Sequence, residues 1–210
     1  MGDGDGGWGW GMSELGGLGC WGVGRGCASW YGRGMHLGAL PTGSFVPTEL
    51  HQRLARLAGR WKGTAKTYAD PSNPDAAESA SWEGVIEMLL GGRFMRFTYA
   101  SEAMGQPIAG EFTLAYEQGD GVFRMSWIDS LHTSPAIMVQ ESKAVGAGDA
   151  QVPISVVGSY FAGAGQPRWG WRTELHDQTE GTLAIRMFNI MPDGAESIGV
   201  DITLVRGGAS

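Results

Sequence analysis

Along "PTELHQRLARLAG", Leu50, Leu54 and Leu57 recur at a spacing that places them on one face of a helix. Thr48 stands where an N-cap belongs and Gly59 where a helix stops, so the pattern predicts one short helix of roughly three turns. Beyond Gly59 the helical period disappears. "LAGRWKGTAKTY" opens an alternating run, and runs rich in β-branched and aromatic residues follow: "RFMRFTYA", "EFTLAY", "VFRMSWIDS", "TLAIRMFNI" and "SIGVDITLV". Between such runs Gly, Pro, Asn and Asp gather at 70–75, 91–92, 104–107, 118–121, 146–149, 163–167, 176–181 and 191–194. This is the chemistry that reversal of an antiparallel strand requires. The pattern predicts about nine or ten strands joined in sequence. So long a run of hairpins must pair its two outer edges or leave them open to aggregation, and closing into a barrel removes both. The expected fold is all-β, an antiparallel up-and-down barrel with one short N-terminal capping helix.

Trp61 follows Gly59 by two residues, at the point where helix gives way to strand. Small up-and-down barrels commonly lead from a short helix into the first strand. There the glycine permits a tight change of direction and the indole plugs the floor. An arginine from the last strand then lies across the ring as a cation–π partner, and Arg206 in "DITLVRG" is in the right place for it. The Gly-x-Trp start with a late arginine resembles the lipocalin and wider calycin superfamily. The segments "LAGRWKGTA", "LLGGRFMRFTYASEAMGQPIAGEFTLAYEQGDGVFRMSWIDS" and "MPDGAESIGVDITLVR" resemble a bacterial family of unknown function with a lipocalin-like barrel, over residues 50–206. The resemblance implies a barrel with an interior cavity and brings no catalytic residues with it.

Composition divides the chain. Residues 1–43 hold 16 of the 36 glycines and four of the nine tryptophans, without a hydrophobic period. No charged start followed by an apolar stretch marks them as a secretory signal. Glycine this dense costs too much backbone entropy to hold packed structure, so disorder is expected there. The segment reads either as translation upstream of the real start, with Met35 as a start, or as a flexible tryptophan-bearing interaction arm. Residues 44–210 are read as the barrel domain. Both cysteines, Cys20 and Cys27, lie in the first segment. A thiol-free barrel suits a reducing compartment, and the cytoplasm is the expected location. The net charge of −7, with basic residues scattered singly, argues against a nucleic-acid partner. No apolar run approaches the roughly 20 residues of a membrane-spanning helix, so no membrane partner is expected.

Candidate chemistry is sparse. "WIDSLHT" holds Asp129, Ser130 and His132 close together, but strand alternation puts Ser130 and His132 on one face and Asp129 on the other. A triad needs its histidine between the other two, and no Gly-x-Ser-x-Gly elbow occurs. The bland reading is that Asp129 and Ser130 end the strand on local amides. The sharper one has Trp127 and Asp129 facing the cavity together, as aromatic wall and polar anchor. Of the four histidines, His36, His51, His132 and His176, no two share a metal-ligand spacing, and only His132 is placed near a cavity mouth. Nitrobindins, ten-stranded relatives among such barrels, hold haem through a histidine near the chain end. The closing strand here has none, so neither haem nor another cofactor is expected.

Arg96 and Arg172 sit among aromatic residues, beside Phe94, Phe97, Tyr99, Trp169 and Trp171. Either one, turned inward by the register, would need a carboxylate or an anionic ligand. The sequence reading is non-covalent binding of a small apolar or weakly anionic molecule within the barrel. Arg96, Tyr99, Trp127, Asp129, His132 and Arg172 are the candidate ligand residues, and Gly59, Trp61 and Arg206 the closure set. An isomerase or cyclase using the same cavity, or a filled, self-associating module, are the alternatives; a homodimer is compatible with each.

Overall fold

The computed structural model describes residues 45–69, 73–133, 135–146, 149, 152–177 and 179–207. The expectation for residues 1–43 lies outside them. One helix, α1 (Glu49–Arg56), precedes ten strands. These are β1 (Gly59–Thr67), β2 (Glu78–Leu89), β3 (Phe94–Ala103), β4 (Gln106–Glu117), β5 (Val122–Asp129), β6 (Met138–Glu141), β7 (Ile154–Tyr160), β8 (Trp169–His176), β9 (Thr182–Ile190) and β10 (Glu196–Arg206). Each strand pairs antiparallel with the next, and β1 pairs with β10, so the sheet closes into an up-and-down barrel of ten strands. The eight predicted turn clusters lie at connections between strands, with Gln106, Pro107 and His176 falling in the adjoining strand ends. The remaining connection, between β5 and β6, carries no such cluster.

The helix is shorter than expected, at eight residues. Thr48 is its N-cap, and its partner is a histidine: the Thr48 N–H donates to Nδ1 of His51 at 3.2 Å. Burial pushes the His51 pKa below its ordinary 6.5, which keeps that nitrogen free to accept. Leu50, Leu54 and Leu57 are all buried against the barrel floor. Arg53, on the same helix, is 1% exposed. Its guanidinium donates to both oxygens of Asp177 and to the Val152 carbonyl, tying the helix to the loops after β6 and β8.

Closure follows the expected chemistry. Trp61 lies opposite Arg206 in the β1–β10 register, and the Arg206 guanidinium sits 4.6 Å from the indole centroid. The same guanidinium donates to the carbonyls of Arg56 and Ala58, while the indole N–H donates to Leu57 at 2.8 Å. One arginine thus joins the end of the helix, the first strand and the last. Gly59 makes this fit possible. Its φ is +139°, and a Cβ there would stand 2.6 Å from Nη1 of Arg206. Gly59→Ala is therefore expected to destabilise the barrel by about 1–3 kcal/mol, from backbone strain and displacement of Arg206 together. Gly92→Ala should cost less, because φ is also positive there but nothing lies within 4 Å. Chemical denaturation of the two variants in parallel checks the difference.

Side chains alternate between core and solvent along the strands, with a break in β10 where the register shifts between Ile198 and Val200. The inward set is mostly apolar through the lower and middle layers, with Leu183, Ile185, Ile202, Leu204, Met95, Leu114 and Leu175 essentially inaccessible; the exception is a buried pair in which the Thr173 hydroxyl donates to Oε1 of Gln140 at 3.0 Å. Phe97 meets Phe112 edge-on at 5.1 Å, and Trp82 stacks on Tyr99 at 4.4 Å. These rings fill the barrel's waist.

Candidate functional site

Polar groups enter the interior toward the end opposite the helix. Strand β5 turns Phe123, Met125, Trp127 and Asp129 inward. The Trp127 indole N–H donates to the Tyr99 hydroxyl at 2.8 Å, and that hydroxyl donates to Oδ2 of Asp129 at 3.1 Å. Asp129 is the last residue of its strand, and its carboxylate organises the turn that follows. Oδ1 accepts the backbone N–H groups of Leu131, His132 and Thr133, and Oδ2 lies 2.7 Å from Nδ1 of His132. The Asp129 N–H donates back to the Thr133 hydroxyl.

These contacts decide the charges. Burial by itself raises the Asp129 pKa, but hydrogen bonding from His132 and from the turn amides outweighs it and holds the carboxyl below its ordinary 3.8. Burial, reinforced by the neighbouring Asp129 charge, pushes the Tyr99 hydroxyl well above its ordinary 10.0. Near neutral pH Tyr99 is thus a donor and Asp129 an acceptor.

Strand alternation fails just past Asp129. It put Asp129 and His132 on opposite faces, whereas the structure brings them into contact. Alternation holds only while the chain stays extended, and here the carboxylate bends it into a turn that carries His132 back over the interior. Ser130 does not join them. Its hydroxyl accepts the Ala109 N–H at 3.1 Å, so the three side chains form no triad.

Next to His132 the barrel is open. A cavity of about 310 Å³ is lined by Met104, Met138, Trp171 and Val200 on its apolar side and by Thr67, His132, Tyr160 and Asn189 on its polar side. The Tyr160 hydroxyl donates to Oδ1 of Asn189 at 2.7 Å. The imidazole of His132 stands 5.6 Å from the Trp127 ring and 5.9 Å from that of Trp171. A smaller recess of about 220 Å³, bounded by His132, Ile137, Phe161 and Arg168, adjoins it and shares His132, Met138 and Tyr160. A depression of about 440 Å³ on the outer face of β1–β3 is larger but is bordered by Arg60, Lys62 and Glu83.

Of the six expected ligand residues, His132 lines the mouth cavity, while Tyr99, Trp127 and Asp129 stand behind it in the wall. Arg96 and Arg172 do not turn inward. Arg96 alternates with buried Met95 and Phe97 and pairs with Glu87 on the outside. Arg172 pairs outside with Glu174 and Glu196 and lies over the Phe188 ring. Phe97, Tyr99, Trp169 and Trp171 are on the opposite face of the same strands, and only Phe94 shares the face of Arg96, so crowding in sequence does not mean crowding in space. Tyr160, Asn189 and Thr67 were missed. Each lies at or next to the mouth end of its strand, a position recognisable only once the register is known. Among the described residues no group of three His, Cys, Asp or Glu side chains comes together as a metal site.

The family described as a protein of unknown function (DUF1579) matches residues 46–206. Among solved structures, the chain is similar to Rv2717c from M. tuberculosis, with 16% identity, a TM-score of 0.48, and coverage of 78% of this chain and 100% of that one. It is also similar to the S-type phycobiliprotein lyase CPES from Guillardia theta, with 12% identity, a TM-score of 0.44, and coverage of 78% and 95%. No curated protein matches the chain.

Proposed function

The chain belongs to the DUF1579 family of unknown function, and from its own geometry we propose that it binds one small, largely apolar molecule non-covalently at the barrel mouth. The observation that supports this is the contrast along the barrel axis. Bulky rings fill the waist, while about 310 Å³ is left open beside His132. That volume is at the lower end of the range for small-molecule sites, and an apolar lining with a few converging polar groups is their usual chemistry. Trp171 and Tyr160 supply flat surface, and Met104 and Met138 supply adaptable apolar contact.

The Asp129–His132 contact is what favours the enzyme reading, since a carboxylate that orients a histidine also serves general-base chemistry. Binding is the simpler use of the same groups. A filled, self-associating module has no use for the cavity. The proposal keeps the cytoplasm as the place of action, because the barrel needs no disulfide. No helix among the described residues is long and apolar enough to cross a membrane.

Native mass spectrometry of protein purified gently from its own host tests the proposal. A retained small molecule is expected in the wild type and its loss in Thr67→Trp, which places an indole at the rim without disturbing the core. Host-purified protein carrying nothing, or a bound mass that survives Thr67→Trp in a folded variant, counts against the mouth as the site.

A further inference from the structure

His132 is oriented from behind by its own turn. Asp129 Oδ1 already collects three backbone N–H groups, and Oδ2 faces Nδ1 of the imidazole at 2.7 Å. An ionised carboxylate only accepts, so the proton between them belongs to Nδ1. In the neutral ring the second nitrogen, Nε2, is then a lone-pair acceptor, and no described residue hydrogen-bonds it. The other polar groups of the cavity are partly engaged, the Tyr160 O–H with Asn189. Among the described lining residues there is no Lys, Arg, Asp or Glu.

We infer that the mouth cavity selects an uncharged, planar molecule bearing a hydroxyl or N–H group that it donates to Nε2 of His132. The inference rests on the binding reading above and adds the ligand's class to it. A carboxylate would meet an acceptor nitrogen with the Asp129 charge behind it, and the nearest guanidinium, that of Arg168 in the adjoining recess, already donates to the Ser159 hydroxyl and carbonyl. A plain hydrocarbon would cover Nε2 without replacing its hydrogen bond to water. A donor-bearing ring satisfies the nitrogen and still lies against Trp171 and Met138. This narrows the sequence expectation of an apolar or weakly anionic ligand to its neutral half.

Three probes of nearly equal size separate the cases: naphthalene, naphthol and naphthoate, titrated calorimetrically into the full chain. Naphthol is expected to bind about tenfold more tightly than naphthalene, the effect of one well-placed hydrogen bond, with naphthoate the weakest. In His132→Phe, which keeps an aromatic ring in place, naphthol should fall to the affinity of naphthalene while naphthalene itself changes little. His132→Leu reports the same ratio if the phenyl ring does not fit the turn. Equal affinity of naphthol and naphthalene for the wild type overturns the inference. So does naphthoate as the tightest ligand, which would mark Nε2 as a donor, or a naphthol advantage that outlives the loss of His132. If none of the three binds, the cavity reading itself fails and the inference falls with it.

Discussion

Arg53→Ala is expected to destabilise the protein by about 3–5 kcal/mol, lowering Tm by roughly 10 °C or more. The substitution removes a guanidinium that is almost wholly buried and leaves Asp177 ionised with its partner gone. The Val152 carbonyl loses its donor at the same time. The cost arises from the stranded charge more than from the strength of the pair, so removing both partners should hurt less than removing one. Arg53→Met combined with Asp177→Leu is expected to recover most of the loss. Arg53→Lys should fall between, because an ammonium cannot serve both carboxylate oxygens and the carbonyl as the guanidinium does. Urea unfolding of the four proteins measures this directly. A double variant as unstable as Arg53→Ala would show that the helix is held by its leucines and that the ion pair is incidental.

Asp129→Ala is the second large effect, expected at about 3 kcal/mol, or a Tm lower by roughly 6–12 °C. The carboxylate serves donors from three sources: the turn amides, the Tyr99 hydroxyl and His132. Tyr99 is the buried one and keeps its proton, so without Asp129 it becomes a donor with no acceptor. Asp129→Asn retains an acceptor oxygen for the amides and should cost only about 1–2 kcal/mol. The same residue sets an acid limit. Its folded pKa lies below the ordinary 3.8, so its contribution is fully present above that value and is lost as pH falls through the folded one. Stability of the wild type should therefore drop more steeply than that of Asp129→Asn in this window. Parallel slopes would mean that Asp129 titrates alike in folded and unfolded chains. Loss of Asp129 should also release His132, so the naphthol preference is expected to weaken in both variants even under conditions where they remain folded.

The sequence by itself determined the antiparallel barrel, the capping helix and the seal at the floor. Those features rest on local signals. Turn residues act where they stand, period-two alternation needs only a few neighbours, and Gly59, Trp61 and Arg206 lie at the chain positions that closure brings together. The inward placement of Trp127 and Asp129 was legible for the same reason, since it requires only that β5 stay extended. The tertiary structure alone decided the rest. A shift of one residue in register exchanges the two faces of a strand, so the outward turn of Arg96 and Arg172 could not be read from their aromatic neighbours. His132 reaches Asp129 because a side chain ends the strand and bends the backbone, an event that alternation cannot anticipate. The open mouth, finally, depends on which rings from nonadjacent strands share a layer. Trp82, Tyr99, Phe97 and Phe112 crowd the waist, and the space they leave exists only once the sheet has closed.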